Sequence, residues 1–210
     1  MSEKKKFLIK EFQELCENGL CEDLLTEQER EMKKNGAVIL SGKLSEANTV
    51  NGNQRIYKKN LLEREMEKFN QLIKDNMALG NVDHDDSEVI ELSKASHMFL
   101  RTWWTGDDLF GTCKVLTTPQ GKVLEALIRD GVKLGVSSRG IGSLRELANG
   151  VSEVEDDFQL VTYDIVSYPS APGAFMKLQE GKMLKELSQK TSRKHYIDVL
   201  FDDILKKEKK

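Results

Sequence analysis

The sequence has little that would staple, anchor or polarise it. Its three cysteines in 210 residues, Cys16, Cys21 and Cys113, form neither an even disulfide framework nor a C-x-x-C pair of the zinc or redox kind. All three are expected to be reduced thiols used for packing. No apolar run is long enough to cross a bilayer, and the opening stretch MSEKKKFLIKEF lacks the apolar centre and small-residue cleavage site of a signal peptide. An intracellular protein with no membrane partner is expected. The formal charge is −3, with 32 basic and 35 acidic residues intermixed, so there is no overall basic field to favour nucleic acid. No repeat recurs at solenoid or propeller periods. The G-x-S-x-G elbow of α/β-hydrolases is also missing, because Gly135-Val136-Ser137-Ser138 runs into Arg139 where that motif needs glycine.

What is present fits one domain with short extensions. Residues 1–34 are polar, with apolar residues spread irregularly, and read as an N-terminal helical extension outside the core. AVILSGKL (37–44) reads as a strand, and NGN within the following loop as a turn. Leu62, Met66, Phe69 and Ile73 recur at helical spacing within 58–76. VIELS, SHMFLRTWW and LFGTCKVL then read as an antiparallel meander. A helix follows, with Thr118 as N-cap, Pro119 at its first position and Gly131 past its end. FQLVTYDIVSY (158–168) is a strand stopped by PSAPGA. Beyond a polar linker, HYIDVLFDDILKKEKK carries an apolar face at helical spacing.

Chemistry concentrates in two stretches. LGVSSRGIGSL sets two serines among Gly135, Gly140 and Gly142, glycines that would allow a bend with positive φ. His84 stands in GNVDHDD, a loop between a helix and a strand, where reactive side chains are commonly held. Of the other histidines, His97 sits in a strand and reads as structural, and His195 as a helix-end residue. His84 could serve as general base to a serine, or join Asp83, Asp85 and Asp86 around a divalent metal. Contiguous acids cannot all face one ion, and no second cluster completes a shell, so no metal is assigned. A serine mechanism needs an acid to orient the base, and Asp164, set among apolar β-formers, requires a partner if it is buried.

In order and spacing, NGNQRIYKKNLL, LGNVDHDD, WWTGDDLFGTCKVL, LGVSSRGIGSL and YDIVSYPSAPGA resemble the prohead core serine proteases of T-even-like tailed phages, from about Val38 to Phe175. The resemblance implies an α+β fold: a herpesvirus-protease-like β-barrel of mostly antiparallel strands with flanking helices. The organisation expected is an N-terminal extension (1–34), a protease domain (35–180) and a C-terminal linker and amphipathic helix (181–210). It also implies His84 as base, Ser137 as nucleophile and an acid at Asp164, with Thr162 the alternative third position. Backbone amides near Arg139 and Gly140 would hold the oxyanion, and Arg139 could equally be an ion-pair partner. One residue departs from the pattern: Asp85 stands where many relatives have proline, which leaves this loop less constrained and more acidic.

The activity implied is an endopeptidase that needs no cofactor and cleaves phage scaffold and major capsid proteins in the host cytoplasm, inside the assembling prohead. A homo-oligomer is expected. Family members cut after Glu in Leu/Ile-x-Glu sites and finally cut themselves. Ile9-Lys10-Glu11, Leu178-Gln179-Glu180 and Leu184-Lys185-Glu186 match that pattern. The alternative is a non-catalytic prohead core scaffold protein, and a third option is a divalent-metal hydrolase that chelators would inhibit.

Overall fold

The computed structural model describes residues 7–13, 25–84, 87–132, 134–147, 150–166 and 177–178. Cys16, Cys21, Asp85, Asp86, the PSAPGA stop, His195 and the C-terminal linker and helix lie outside the described residues, as do the candidate cleavage triplets beyond Leu178.

Alternating apolar residues in the middle of the chain make strands that pair with their sequence neighbours. β5 (Ala95–Thr105) and β6 (Asp108–Val115) form a hairpin whose turn is closed by Gly106 at φ 61°. β2 (Ile39–Glu46) pairs antiparallel with β6, and β4 (Leu79–Asn81) with β5. With β11 (Lys177–Leu178), they make a five-stranded sheet in the order β11-β2-β6-β5-β4. The stretch VIELS does not join it. Val89 and Leu92 are 69% and 77% exposed, and only a 3-10 turn, Leu92–Lys94, precedes β5. Its β-forming composition finds no neighbouring strand to pair with among the described residues.

A second sheet has the order β1-β7-β10, from β1 (Phe7–Gln13), β7 (Gly135–Gly142) and β10 (Gln159–Val166). Strand β1 corrects the expectation of a purely helical N-terminal extension. It pairs along its whole length with β7. Irregular apolar spacing concealed it, because this strand is defined by its partner and not by its own periodicity. A third, small sheet holds β3 (Arg55–Ile56), β8 (Leu144–Glu146) and β9 (Ser152–Val154), with β3 parallel to β9.

The architecture is thus one of helices packed with predominantly antiparallel sheets. Among the described residues no ladder closes a barrel. Among those residues the two larger sheets are joined by one isolated parallel bridge, Val82↔Ile165, and by no continuous ladder.

Among the described residues three α-helices cover the sheets. In α1 (Glu27–Lys34), Thr26 and Glu29 form a reciprocal capping box, and Glu29 also accepts hydrogen bonds from Arg101 on β5. α2 (Lys59–Lys74) buries Leu61, Leu62, Met66 and Phe69, close to the expected face. α3 (Pro119–Arg129) has the expected Thr118 cap, which accepts from the Gly121 amide, and the expected Gly131 beyond its end at φ 76°. Phe69 packs edge-on against Phe99 and Tyr163, with ring centroids 5.4 and 5.7 Å away, and so joins α2 to both larger sheets. Each such ring contributes about 1.5–3 kcal/mol by burial. Cys113 lies fully inside this core, and burial pushes its thiol up to about 12, which makes it an inert packing residue as expected.

His97 is structural, as its place in a strand suggested. Fully buried, it donates from Nε2 to the Tyr163 carbonyl at 3.1 Å, while Nδ1 lies 2.9 Å from the Ser96 hydroxyl. Its partner Gly80 has no room for a side chain, since a Cβ would sit 2.3 Å from His97 Nε2 and from the Tyr163 oxygen. Burial lowers the His97 pKa from 6.5 to about 4, against the opposing pull of Asp164 and the Tyr163 carbonyl. Between those values the unfolded chain binds a proton that the folded chain refuses. The contribution of His97 is therefore complete above about pH 6.5 and declines as pH falls toward 4. Chemical denaturation across this window should show a loss of about 3 kcal/mol. A His97→Gln variant should show a much flatter profile, and equal slopes would contradict this account.

Candidate active site

The site is assembled from β4, β7 and β10, each fixed by contacts some distance from the chemistry. β10 is set first. Glu65, 2% exposed on α2, accepts from the Leu160 amide at 3.0 Å and is balanced by Arg64 and Lys68. Arg64 in turn donates to the carbonyls of Asp156 and Phe158. Immediately after Leu160 the ladder with β7 shifts register: Leu160 opposes Gly140, whereas Thr162 opposes Arg139. This bulge decides the site. By regular pairing Tyr163 would face Ser137; the extra residue, Val161, puts Asp164 there instead.

β7 is the middle strand of its sheet and is buried at every position but Ile141. Its glycines do not serve the bend suggested by their number, and none has positive φ. Gly140 leaves room for Phe158, whose Cε2 would lie 2.4 Å from a Cβ, and Gly142 likewise lies under Phe158. Ser137 is 3% exposed, and strand alternation puts Ser138 on the opposite face. His84 arrives from the end of β4. Val82 bridges to Ile165, the Asp83 amide donates to the Ile165 carbonyl at 2.8 Å, and Asp83 turns through φ 61°, a conformation aspartate tolerates better than most residues.

These elements bring together the three residues singled out in the sequence. His84 Nδ1 donates to Asp164 Oδ2 at 2.9 Å, because a carboxylate can only accept. In the tautomer that carries its proton on Nδ1, Nε2 is an acceptor, 2.7 Å from Ser137 Oγ and placed to take a hydrogen bond from the serine hydroxyl. The His84 side chain is 20% exposed and Asp164 is fully buried. Thr162 is not bonded to the imidazole; its hydroxyl donates to the Leu79 carbonyl at 2.6 Å.

Asp164 has further partners that sequence reasoning only half anticipated. Arg139, fully buried, donates from Nε to Oδ2 at 2.8 Å and from Nη2 to Oδ1 at 3.2 Å, while Nη1 donates to the Ser87 carbonyl. The Asn81 amide adds a bond to Oδ1 at 3.1 Å. The Arg139 side chain is thus an ion-pair partner, the second of the two roles considered for it. No local signal marks the Asn81 and Ser87 contacts, which are made by backbone atoms. Burial works to raise the Asp164 pKa, but the hydrogen bonds from His84 and Arg139, the guanidinium charge and the Asn81 amide outweigh it. The carboxyl is held below its ordinary value.

A hydroxyl bonded to an imidazole, itself bonded to an ionised carboxylate, is the nucleophile, base and orienter geometry shared by serine hydrolases on unrelated folds. The comparisons specify the kind. A family model described as prohead core protein serine protease matches residues 9–185, and the chain belongs to that family. It is 34% identical over 147 residues to the prohead core protein protease of Enterobacteria phage T4, covering 68% of this chain and 69% of that protein. Its fold is similar to that of the bacteriophage T4 capsid assembly protease, with a TM-score of 0.66 at 24% identity, over 79% of this chain and 99% of that one.

Proposed function

We propose that this peptidase is a prohead maturation endopeptidase in which Ser137 attacks the scissile carbonyl, His84 takes and returns the proton, and Asp164 holds the imidazole in the required tautomer. The observation that carries the reading is the continuous hydrogen-bonded path from Ser137 Oγ through His84 to Asp164. Attack gives a tetrahedral oxyanion, its collapse expels the amine with the proton from His84, and water repeats the sequence to free the acyl group. Backbone amides at Arg139 and Gly140 serve as oxyanion donors in this scheme.

Substrates in this reading are the scaffold and capsid proteins of the prohead, met inside the assembling particle and cut after Glu in Leu/Ile-x-Glu sites. The same preference supports self-cleavage that trims the extensions on either side of residues 35–180, with the C-terminal helix docked on scaffold beforehand, and a homo-oligomer as the working form. Kinship to the herpesvirus assembly proteases belongs here too. The Val82↔Ile165 bridge supports it by joining the two larger sheets edge to edge.

The test is co-expression with the scaffold and capsid proteins, comparing wild type, Ser137→Ala, Ser138→Ala and His84→Ala by intact-mass spectrometry. Cleavage should vanish in Ser137→Ala and His84→Ala and persist in Ser138→Ala. Four uncut samples that still assemble would favour the scaffold alternative. Cleavage retained in Ser137→Ala would remove the proposed nucleophile.

A further inference from the structure

Strand β7 has two edges, and their occupants differ. β10 cannot leave, since it carries Asp164 and is tied to β7 through Arg139 and to β4 through the Val82↔Ile165 bridge. Among the described residues β1 is the terminal strand of its sheet, paired with β7 alone. Its register runs Ile9↔Gly140, Lys10↔Arg139, Glu11↔Ser138 and Phe12↔Ser137, antiparallel throughout. Directly opposed residues of an antiparallel pair lie about 4.5–5.5 Å apart at Cα and share a face of the sheet. The backbone of β1 therefore passes Ser137 at Phe12, across β7 from Asp164 on β10.

A protease must hold an extended chain with its scissile carbonyl close to the nucleophile, and adding a strand to a sheet edge provides main-chain hydrogen bonds in that geometry. Only the β1 edge of β7 can be vacated for it. We infer that this edge is the docking strand for extended polypeptide substrates and that β1 is its resident occupant, a segment of the chain itself that must withdraw before another can pair beside Ser137. This rests on Ser137 as the nucleophile. The oxyanion follows the same logic. Consecutive strand residues turn their amides to opposite edges, so one of the Arg139 and Gly140 amides faces β1 and becomes available as β1 departs.

The experiment keeps the full chain. Proline has no N–H and weakens strand pairing wherever that N–H faces the neighbour. Of the adjacent residues Lys10 and Glu11 only one turns its N–H toward β7, so Lys10→Pro and Glu11→Pro act as each other's control. In a Ser137→Ala background, binding of a fluorescein-labelled FLIKEFQ peptide, the sequence of residues 7–13, is measured by anisotropy. One proline variant should bind at least about tenfold more tightly than the parent and the other within about twofold, since apparent affinity rises with the fraction of vacant sites. With Ser137 restored, the first variant alone should show a matching rise in kcat/KM for a peptide substrate. Equal affinity in parent and both variants, or no binding to any of them, would overturn the docking edge. Tighter binding without turnover would uphold the edge and remove the proposed chemistry. Turnover indifferent to both prolines would do the reverse.

Discussion

Replacing Asp164 by asparagine is expected to lower kcat for a peptide substrate by about 10⁴-fold, the scale seen where a base is left in the wrong tautomer. The hydrogen bonds explain why isosteric replacement should be so costly. Oδ2 accepts from His84 Nδ1 and Arg139 Nε, and Oδ1 accepts from Arg139 Nη2 and the Asn81 amide. An asparagine NH₂ placed at either position meets N–H donors. With NH₂ toward His84, Nδ1 must accept, and Nε2 then presents a proton to Ser137 where a lone pair is needed. With NH₂ at the other position, donors from Arg139 and Asn81 collide. Single-turnover kinetics and thermal unfolding measured on the same samples separate the chemical from the structural loss. A folded variant retaining more than about a tenth of wild-type kcat would remove Asp164 from the mechanism.

Arg139→Met is expected to destabilise the protein by about 3–5 kcal/mol, the usual cost of leaving one member of a buried ion pair without its partner. Asp164 would keep the bonds from His84 and the Asn81 amide but lose the charge that offsets its burial. The pH dependence should weaken as well. In the wild type the Asp164 pKa is depressed, so its contribution is present above the ordinary carboxylate range and lost as pH falls through the folded-state value. In the variant the guanidinium's share of that depression is gone, so the folded-state pKa rises and less stability is lost on acidification. Urea denaturation at two pH values reads both effects. The double variant Arg139→Met/Asp164→Asn should lose less than the sum of the two single losses, because the pair is removed together; strict additivity would mean that the two side chains are not coupled.

Much of the site was legible because its residues are chemically conspicuous in their local setting. A histidine in an acidic loop, paired serines at the end of an apolar run and an aspartate among β-formers each stand out without a structure, and all three meet. The caps of α3 were equally readable, since Thr118, Pro119 and Gly131 act on adjacent backbone. What escaped depends on distant partners. Pairing of β1 with β7 joins residues more than a hundred positions apart, Glu65 reads as one of many surface glutamates on a charged helix, and the glycines of β7 resemble turn residues although they make room for Phe158. The exposed VIELS stretch errs in the opposite direction, with strand-like composition but no neighbour.

The bulge at Val161 carries a consequence for how this chain can change over time. Side chains there can be exchanged without altering which residue faces Ser137, but a residue cannot be added between Leu160 and Asp164. Gaining one residue, with the single bulge kept, would present a tyrosine to the nucleophile in place of the acid. Drift in composition is tolerable in this stretch, whereas a single insertion is a frame error written in three dimensions.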